Sequence, residues 1–237
     1  MLRSIFVSLK FYLSTLKRLF FPINWKNLRS LKPISNQFGL DRGTPIDRVY
    51  IEDFLFRNKH LINGICLEIS ENTYSKKFGK NVTKFEILHA TKLNKSATII
   101  GDLTNLDNLP ENFVDCFICT QTYNFIYDFK KAIEGSHKLL KENGTLLATV
   151  SGISQISKYD MDRWGDYWRF TTKSLTIIFN EVFGEDNFEL FTYGNVLTSI
   201  AFLSGISGEE LTKEELFTKD DQFQLIICVR AQKNCER

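Results

Sequence analysis

No Gly-x-Gly spacing occurs anywhere in this chain, although its 237 residues include 13 glycines. A pyrophosphate needs closely spaced glycines so that backbone amides can reach it, and the absence counts against nicotinamide and flavin dinucleotides. Cysteine is scarce and odd in number, at Cys66, Cys116, Cys119, Cys228 and Cys235, which does not suggest a disulfide framework and fits a reducing compartment. Cys116 and Cys119 have Cys-x-x-Cys spacing within a strand-like run where residues three apart face opposite sides. Buried thiols are expected there, because a tetrahedral metal site needs two more ligands. The histidines, His60, His89 and His137, have no metal-ligand spacing; His89 follows the second predicted strand and could border a pocket. Proline is confined to Pro22, Pro33, Pro45 and Pro110. No uncharged apolar run reaches the roughly 18 residues that a membrane span requires, and no small-residue cleavage site follows the apolar start of the chain.

What is present is ordinary for a globular chain, with 43% hydrophobic and 24% charged residues, which excludes disorder and collagen. The length predicts one large domain with an appendage. The formal charge of +2 conceals an asymmetry: residues 1–40 hold seven Lys and Arg and no acid, leaving the rest at −5. In that first segment Leu2, Ile5, Phe6, Leu9, Tyr12, Leu13, Leu16, Leu19 and Phe20 recur at helical spacing opposite Arg3, Lys10, Lys17 and Arg18. The pattern predicts a basic amphipathic arm over residues 1–40. Residues 2–21 could pack on the body, on a dimer mate, or on an anionic membrane surface. The acidic body, residues 41–237, argues against a broad nucleic-acid face, so no nucleic-acid partner is expected.

From residue 41 onward short apolar runs alternate with helical patterns, as an α/β parallel sheet covered on both faces requires. The expected elements are a helix over 47–59 and strands over 64–69, 82–88, 97–100, 114–119 and 145–150. A short helix ends at Gly79, and an amphipathic helix through Phe125, Ile126, Phe129, Ile133, Leu139 and Leu140 precedes Asn143-Gly144. Later come a helix over 172–183, a strand over 187–192, helical segments to 217 and a strand over 223–229.

In an open sheet the ligand crevice lies beyond the strands' carboxyl ends, at the switch point beside the first strand. Glu68 closes the first strand, Glu86 lies in the second, and Asp102 follows the third. A carboxylate there can meet a cationic amine, one in the second strand a ribose diol, and one after the third an exocyclic amino group. The ordered set outlines a nucleoside with an amine tail and no phosphate. Each acid taken singly is equally a solvated loop residue.

The segments Leu67-Glu68-Ile69-Ser70, Gly101-Asp102-Leu103, Phe113-Val114-Asp115-Cys116-Phe117 and Leu139 to Leu147 resemble a class I S-adenosylmethionine-dependent methyltransferase of the type 11 kind. The stretches Asp41 to Arg48 and Tyr159 to Phe170 resemble a bacterial subgroup often associated with glycan biosynthesis. The resemblance implies a Rossmann-like seven-stranded, mostly parallel sheet with helices on both faces and an antiparallel final strand. It implies S-adenosylmethionine as cofactor, with Glu68 and Ser70 flanking the methionine part, Glu86 at the ribose, Asp102 and Leu103 at the adenine, and Gln121 facing the reacting methyl. Ser70 and Asn72 depart from the family pattern, which usually has glycines there.

Methyl transfer to a hydroxyl needs a base, and Asp160, Asp162 and Asp166 are the candidates. They share their stretch with Tyr159, Trp164, Tyr167, Trp168 and Arg169, where aromatic faces and polar groups suit a polyol such as a small or glycan-linked acceptor. The same residues read equally as a structural latch, with Trp164 and Trp168 packed on the core and Arg163 and Arg169 in ion pairs. Arg42, Asp47 and Arg48 could close the cofactor crevice, since a guanidinium fork suits a carboxylate; Asp47 could instead cap the helix it opens. The expected function is O-methylation in the cytoplasm, with the inner membrane face as a further location. The alternative is a noncatalytic binding or scaffold subunit.

Overall fold

The fourth strand, β4 (Val114–Thr120), shows why the sheet must be covered on both faces. Its side chains alternate between two apolar clusters: Phe117 and Cys119 enter one, Cys116 and Ile118 the other, and all four are buried. Each such side chain contributes roughly 1.5–3 kcal/mol of burial free energy, which requires a layer on each side. The two thiols of the Cys-x-x-Cys spacing therefore face opposite ways, and burial pushes the Cys119 thiol up to about 12. The four cysteines among the described residues are free, and no metal-holding cluster occurs among those residues.

The computed structural model describes residues 29–234, of which Ile34 onward forms one compact body. The predicted basic helix over residues 2–21 lies outside the described residues. The sheet has seven strands in the order β3-β2-β1-β4-β5-β7-β6. They are β1 (Gly64–Ile69), β2 (Val82–His89), β3 (Ile99–Ile100), β4, β5 (Leu140–Ser151), β6 (Phe188–Tyr193) and β7 (Ile226–Gln232). β1 to β5 run parallel, and β7 is antiparallel to both β5 and β6. The helices are α1 (Ile46–Arg57), α2 (Thr73–Phe78), α3 (Phe129–Leu139), α4 (Lys158–Met161), α5 (Thr172–Phe183), α6 (Val196–Ser204) and α7 (Lys213–Phe217). Residues of α3 and α5 bury into one cluster, and those of α1, α6 and α7 into the other.

β3 is half its expected length, Ile99–Ile100 against 97–100, and three further elements differ from expectation. The helix expected through Phe125 to Leu140 starts at Phe129, because Asp128 caps it by accepting from the Lys131 amide (3.3 Å). It stops at Leu139, and Leu140 already pairs with Val114 of β4. Asn143, with φ of 63°, sits at the register shift inside β5 and so interrupts a strand instead of ending a helix. β7 begins at Ile226 and not at Phe223, because Asp220 to Phe223 form a turn closed by Phe223 N donating to Asp220 O (2.9 Å). Among the described residues no helix is long and apolar enough to cross a membrane.

Candidate active site

β1 and β4 are central neighbours in the sheet, and the chain order reverses between them. Immediately beyond each strand the backbone is forced into the left-handed region at a non-glycine residue, Ser70 (φ 66°) and Gln121 (φ 48°). Such a conformation costs on the order of 1 kcal/mol per residue, and it is held by the sheet itself. Ser70 N donates to Leu88 O (3.0 Å) and Gln121 N to Thr149 O (2.8 Å). The strain bends both chain segments away at the crevice edge and leaves the two residues lining one cavity.

That cavity has a volume of about 600 Å³, inside the range of small-molecule sites. Its floor is apolar, from Ile69, Leu88, Leu103 and Ile126, and Asp102, Ser70, Gln121, His89, Trp164 and Tyr167 stand around it. Asp102 uses one oxygen locally, where Oδ1 accepts from the Thr104 amide (2.8 Å) and hydroxyl (2.9 Å). No hydrogen bond among the described residues reaches Oδ2. Buried Leu103 lies beside it, so the loop offers an acceptor at the edge of an apolar slot. The His89 and Trp164 rings meet edge to face at 5.6 Å.

A second cavity of about 320 Å³ adjoins the first and is more polar. It is lined by Asp47, Arg48, Tyr74, Asn124, Ser157, Asp166 and Arg169, among others, and shares Thr120, Gln121, Phe125 and Asp160 with the larger one. The Gln121 amide is clamped at this junction. Its Oε1 accepts from Ser151 Oγ (2.6 Å) and Asn124 Nδ2 (3.4 Å), and its Nε2 donates to Thr149 Oγ1 (3.4 Å). Asp160 stands opposite, with Oδ2 accepting from Ser157 Oγ (2.5 Å).

The 159–170 stretch is tied to the body by part of the expected latch, Trp168 and Arg169, while Asp160, Trp164, Asp166, Tyr167 and Arg169 line the cavities. Tyr167 N and Trp168 N donate to Asn124 O (3.0 and 3.2 Å), and Trp168 Nε1 donates to Tyr127 O (3.0 Å). Asp166 is clasped by both Arg169 amino groups (2.6 and 3.0 Å) and by the Ser157 amide (2.9 Å). Burial acts to raise the Asp166 carboxyl, but these donors outweigh it and hold it below the usual carboxylate value. Arg169 also donates to the carbonyls of Ser154 and Gln155.

Several predicted site residues lie elsewhere. Glu68 lines neither cavity: it is 3% exposed and accepts from the amides of Tyr74 (3.1 Å) and Ser75 (2.7 Å) and from the Ser75 hydroxyl, at the start of α2. Burial pushes its carboxyl up against the pull of those donors. Glu86 is not at the end of β2, which runs on to His89. It pairs in register with Leu67 and forms an ion pair with Lys84 (2.5 Å), so the residues that reach the cavity from this strand are Leu88 and His89. Asp162 and Tyr159 are exposed and line neither cavity, and the Arg163 guanidinium lies 3.4 Å over the Tyr159 ring. Trp168 packs against Phe129 (5.4 Å) on the core, whereas Trp164 does not. Arg42 is bound to Glu210, away from the crevice. Asp47 and Arg48 do line the smaller cavity, and Asp47 accepts from the adjacent Arg48 amide (2.8 Å) without capping α1.

Burial raises the Asp47 carboxyl to about 6 from 3.8, with the Arg48 amide and charge opposing. Because the folded state holds this proton more tightly than the unfolded chain, stability falls as pH rises from about 4 through 6. Above that the partly covered carboxylate costs at most about 3 kcal/mol. Asp47→Asn is therefore expected to raise the melting temperature at pH 8 and leave it unchanged at pH 4, as read by paired thermal melts.

Sequence reasoning missed Tyr127, Phe125 and Asn124. They sit beyond β4, whose carboxyl end was legible, but the short helical turn that aims them was not.

Residues 59–148 match the family model described as a methyltransferase domain. The fold is shared with the YcgJ protein of Bacillus subtilis, at 12% identity and a TM-score of 0.50 over 79% of this chain and 100% of that one. It is shared equally with a SAM-dependent methyltransferase from Archaeoglobus fulgidus (12% identity, TM-score 0.50, 78% and 94% covered) and with the [4+2]-cyclase SpnF (13%, 0.52, 82% and 84%). No curated protein matches significantly. The domain match and the shared fold support an S-adenosylmethionine-dependent methyltransferase. The matched span covers β1 to most of β5, the strands whose ends build the larger cavity, and S-adenosylmethionine is the cofactor.

The residues present fit that cofactor. The acceptor at Asp102 and the apolar slot over Leu103 suit an adenine ring, and the absence of a glycine-rich phosphate cradle suits a ligand without phosphate. Ser70 adopts the conformation that a family glycine would supply, so the turn after β1 is retained despite the substitution.

Proposed function

We propose that the chain methylates a hydroxyl oxygen of a small or glycan-linked acceptor, with the cofactor in the larger cavity and the acceptor in the smaller one. The observation that carries this reading is the junction: two cavities of different polarity meet at Gln121 and Asp160. In-line displacement needs nucleophile, methyl and sulfur in a row with water excluded, and two adjoining cavities that share Thr120, Gln121, Phe125 and Asp160 in their walls suit that arrangement.

When bound, the cofactor supplies a methyl group on a sulfonium. The chain's own residues do the rest. Asp102 Oδ2 would accept from the exocyclic amine, Leu103 would pack on the ring, and the bent segments at Ser70 and Gln121 would border the tail and the methyl. Trp164 and Tyr167 cover the larger chamber. In the smaller one Asn124, Gln155 and Arg169 offer polar contacts while Phe125 and Tyr74 offer ring faces, a combination that suits a polyol. Asp160 accepts the hydroxyl proton on a carboxylate oxygen, with Ser157 Oγ holding Oδ2 in place. Free, buried cysteines support a cytoplasmic location.

Isothermal titration with S-adenosylmethionine tests the cofactor half. Asp102→Ala is expected to weaken binding roughly tenfold, the loss of a hydrogen bond to a charged group; unchanged affinity would remove the adenine assignment. Transfer of a labelled methyl group into an alkali-stable ether tests the oxygen assignment, and an alkali-labile ester or a methylamine would replace it.

A further inference from the structure

One side of α6 has no partner among the described residues. Val196, Leu197, Ile200 and Leu203 each expose 41–49% of their surface, while Thr198, Ala201 and Phe202 face inward. Their spacing forms a single stripe, and the helix contains no charged residue, whereas a solvated helix face ordinarily carries charges. The stripe continues into the chain at the body's start. Ile34 N donates to Ser204 O (2.8 Å) at the end of α6, Phe38 packs on Phe202 (5.6 Å), and Ile34 and Leu40 are 45% and 55% exposed. Phe38 and Leu40 also line the smaller cavity, so the apolar stripe borders the mouth of the chamber assigned to the acceptor.

We propose that this stripe is a contact surface for an anionic lipid bilayer, which presents a bilayer-borne acceptor to the smaller chamber. Seven Lys and Arg and no acid precede Ile34 in the sequence, Lys32 and Arg29 within five residues of it, so the sequence next to the stripe is cationic. Cations beside an anionic leaflet attract it, and apolar burial adds to that attraction. A second copy of the chain is the poorer occupant. Its six half-exposed side chains fall short of the roughly 1,200–2,000 Å² that a stable pair buries. The delivery of acceptor rests on the two-chamber reading above; the surface itself does not.

The test is co-sedimentation of the full chain with phosphatidylcholine vesicles, with and without phosphatidylglycerol. The full chain is expected to partition onto the phosphatidylglycerol vesicles, and Ile200→Ser/Leu203→Ser to lower that partition about tenfold, from the apolar area removed. Leu40→Ser should act in the same direction without altering the helix, and thermal melts confirm that each variant folds. Equal partitioning of wild type and double variant overturns the proposal. So does a concentration-dependent dimer, seen by sedimentation velocity, that the same substitutions abolish. Titration with S-adenosylmethionine reports on the methyltransferase reading alone, so the two fail separately.

Discussion

Replacing Asp160 by asparagine is expected to slow methyl transfer by roughly 10²- to 10⁴-fold while leaving S-adenosylmethionine affinity within about twofold, the range for loss of a positioned general base. Asparagine keeps the size and the hydrogen bond from Ser157 Oγ but cannot take a proton. Of the three aspartates in its stretch, Asp160 alone lines both chambers. Asp166 already accepts from both Arg169 amino groups and from the Ser157 amide, which leaves it a poor base. Asp166→Asn should therefore cost stability first, by breaking the clasp that fixes the segment. Asp162 is exposed and outside both cavities, and Asp162→Asn should turn over at the wild-type rate. Single-turnover rates with any acceptor that the wild type methylates, set beside cofactor titrations, separate the three. An Asp160→Asn enzyme with wild-type turnover would move the proton elsewhere or show that the acceptor needs no base.

The sheet was legible because its strands are short apolar runs between turn residues, and burial on both faces makes such runs hard to hide. β1 and α5 fall where the patterning puts them. The Asp102 loop was legible for the same reason: it follows a strand end, and a strand end is a local feature. Glu86 misled because β2 continues for three residues beyond it, and an acid inside a strand resembles one that ends a strand when no turn residue marks the boundary. Glu68 misled differently. Its position at the strand end was right, but the amides at the start of α2 lie closer than any ligand and take its carboxylate. Nothing in the local sequence announces the left-handed backbone at Ser70 and Gln121, because neither is a glycine; the sheet imposes it through hydrogen bonds to Leu88 and Thr149, residues 18 and 28 positions away. The junction between the chambers combines residues from β4, β5 and the 151–170 stretch, and no one-dimensional pattern contains it.

Gly135→Ala should destabilise the protein by about 2–3 kcal/mol, a drop of roughly 5–10 °C in melting temperature for a chain of this length. The sign is the informative part. In an exposed helix interior the same substitution gains up to about 1 kcal/mol, since alanine is the better helix former. Gly135 lies in α3, and a Cβ there would stand 2.1 Å from the Leu103 carbonyl oxygen and 3.0 Å from Leu109 Cδ1. A backbone oxygen cannot rotate away as a side chain can, so the 102–109 loop has to move off the helix. That movement carries Leu103 out of the floor of the larger cavity and takes Asp102 with it, while Lys138 Nζ loses its bond to Leu106 O (2.9 Å). Loss of stability and weaker S-adenosylmethionine binding should therefore appear together in this one variant. Asp102→Ala, by contrast, should weaken binding with little change in melting temperature, because its loop remains seated on α3. If Gly135→Ala melts as the wild type does, the loop is not wedged against the helix, and the floor of the larger cavity must be held in place by something other than this contact.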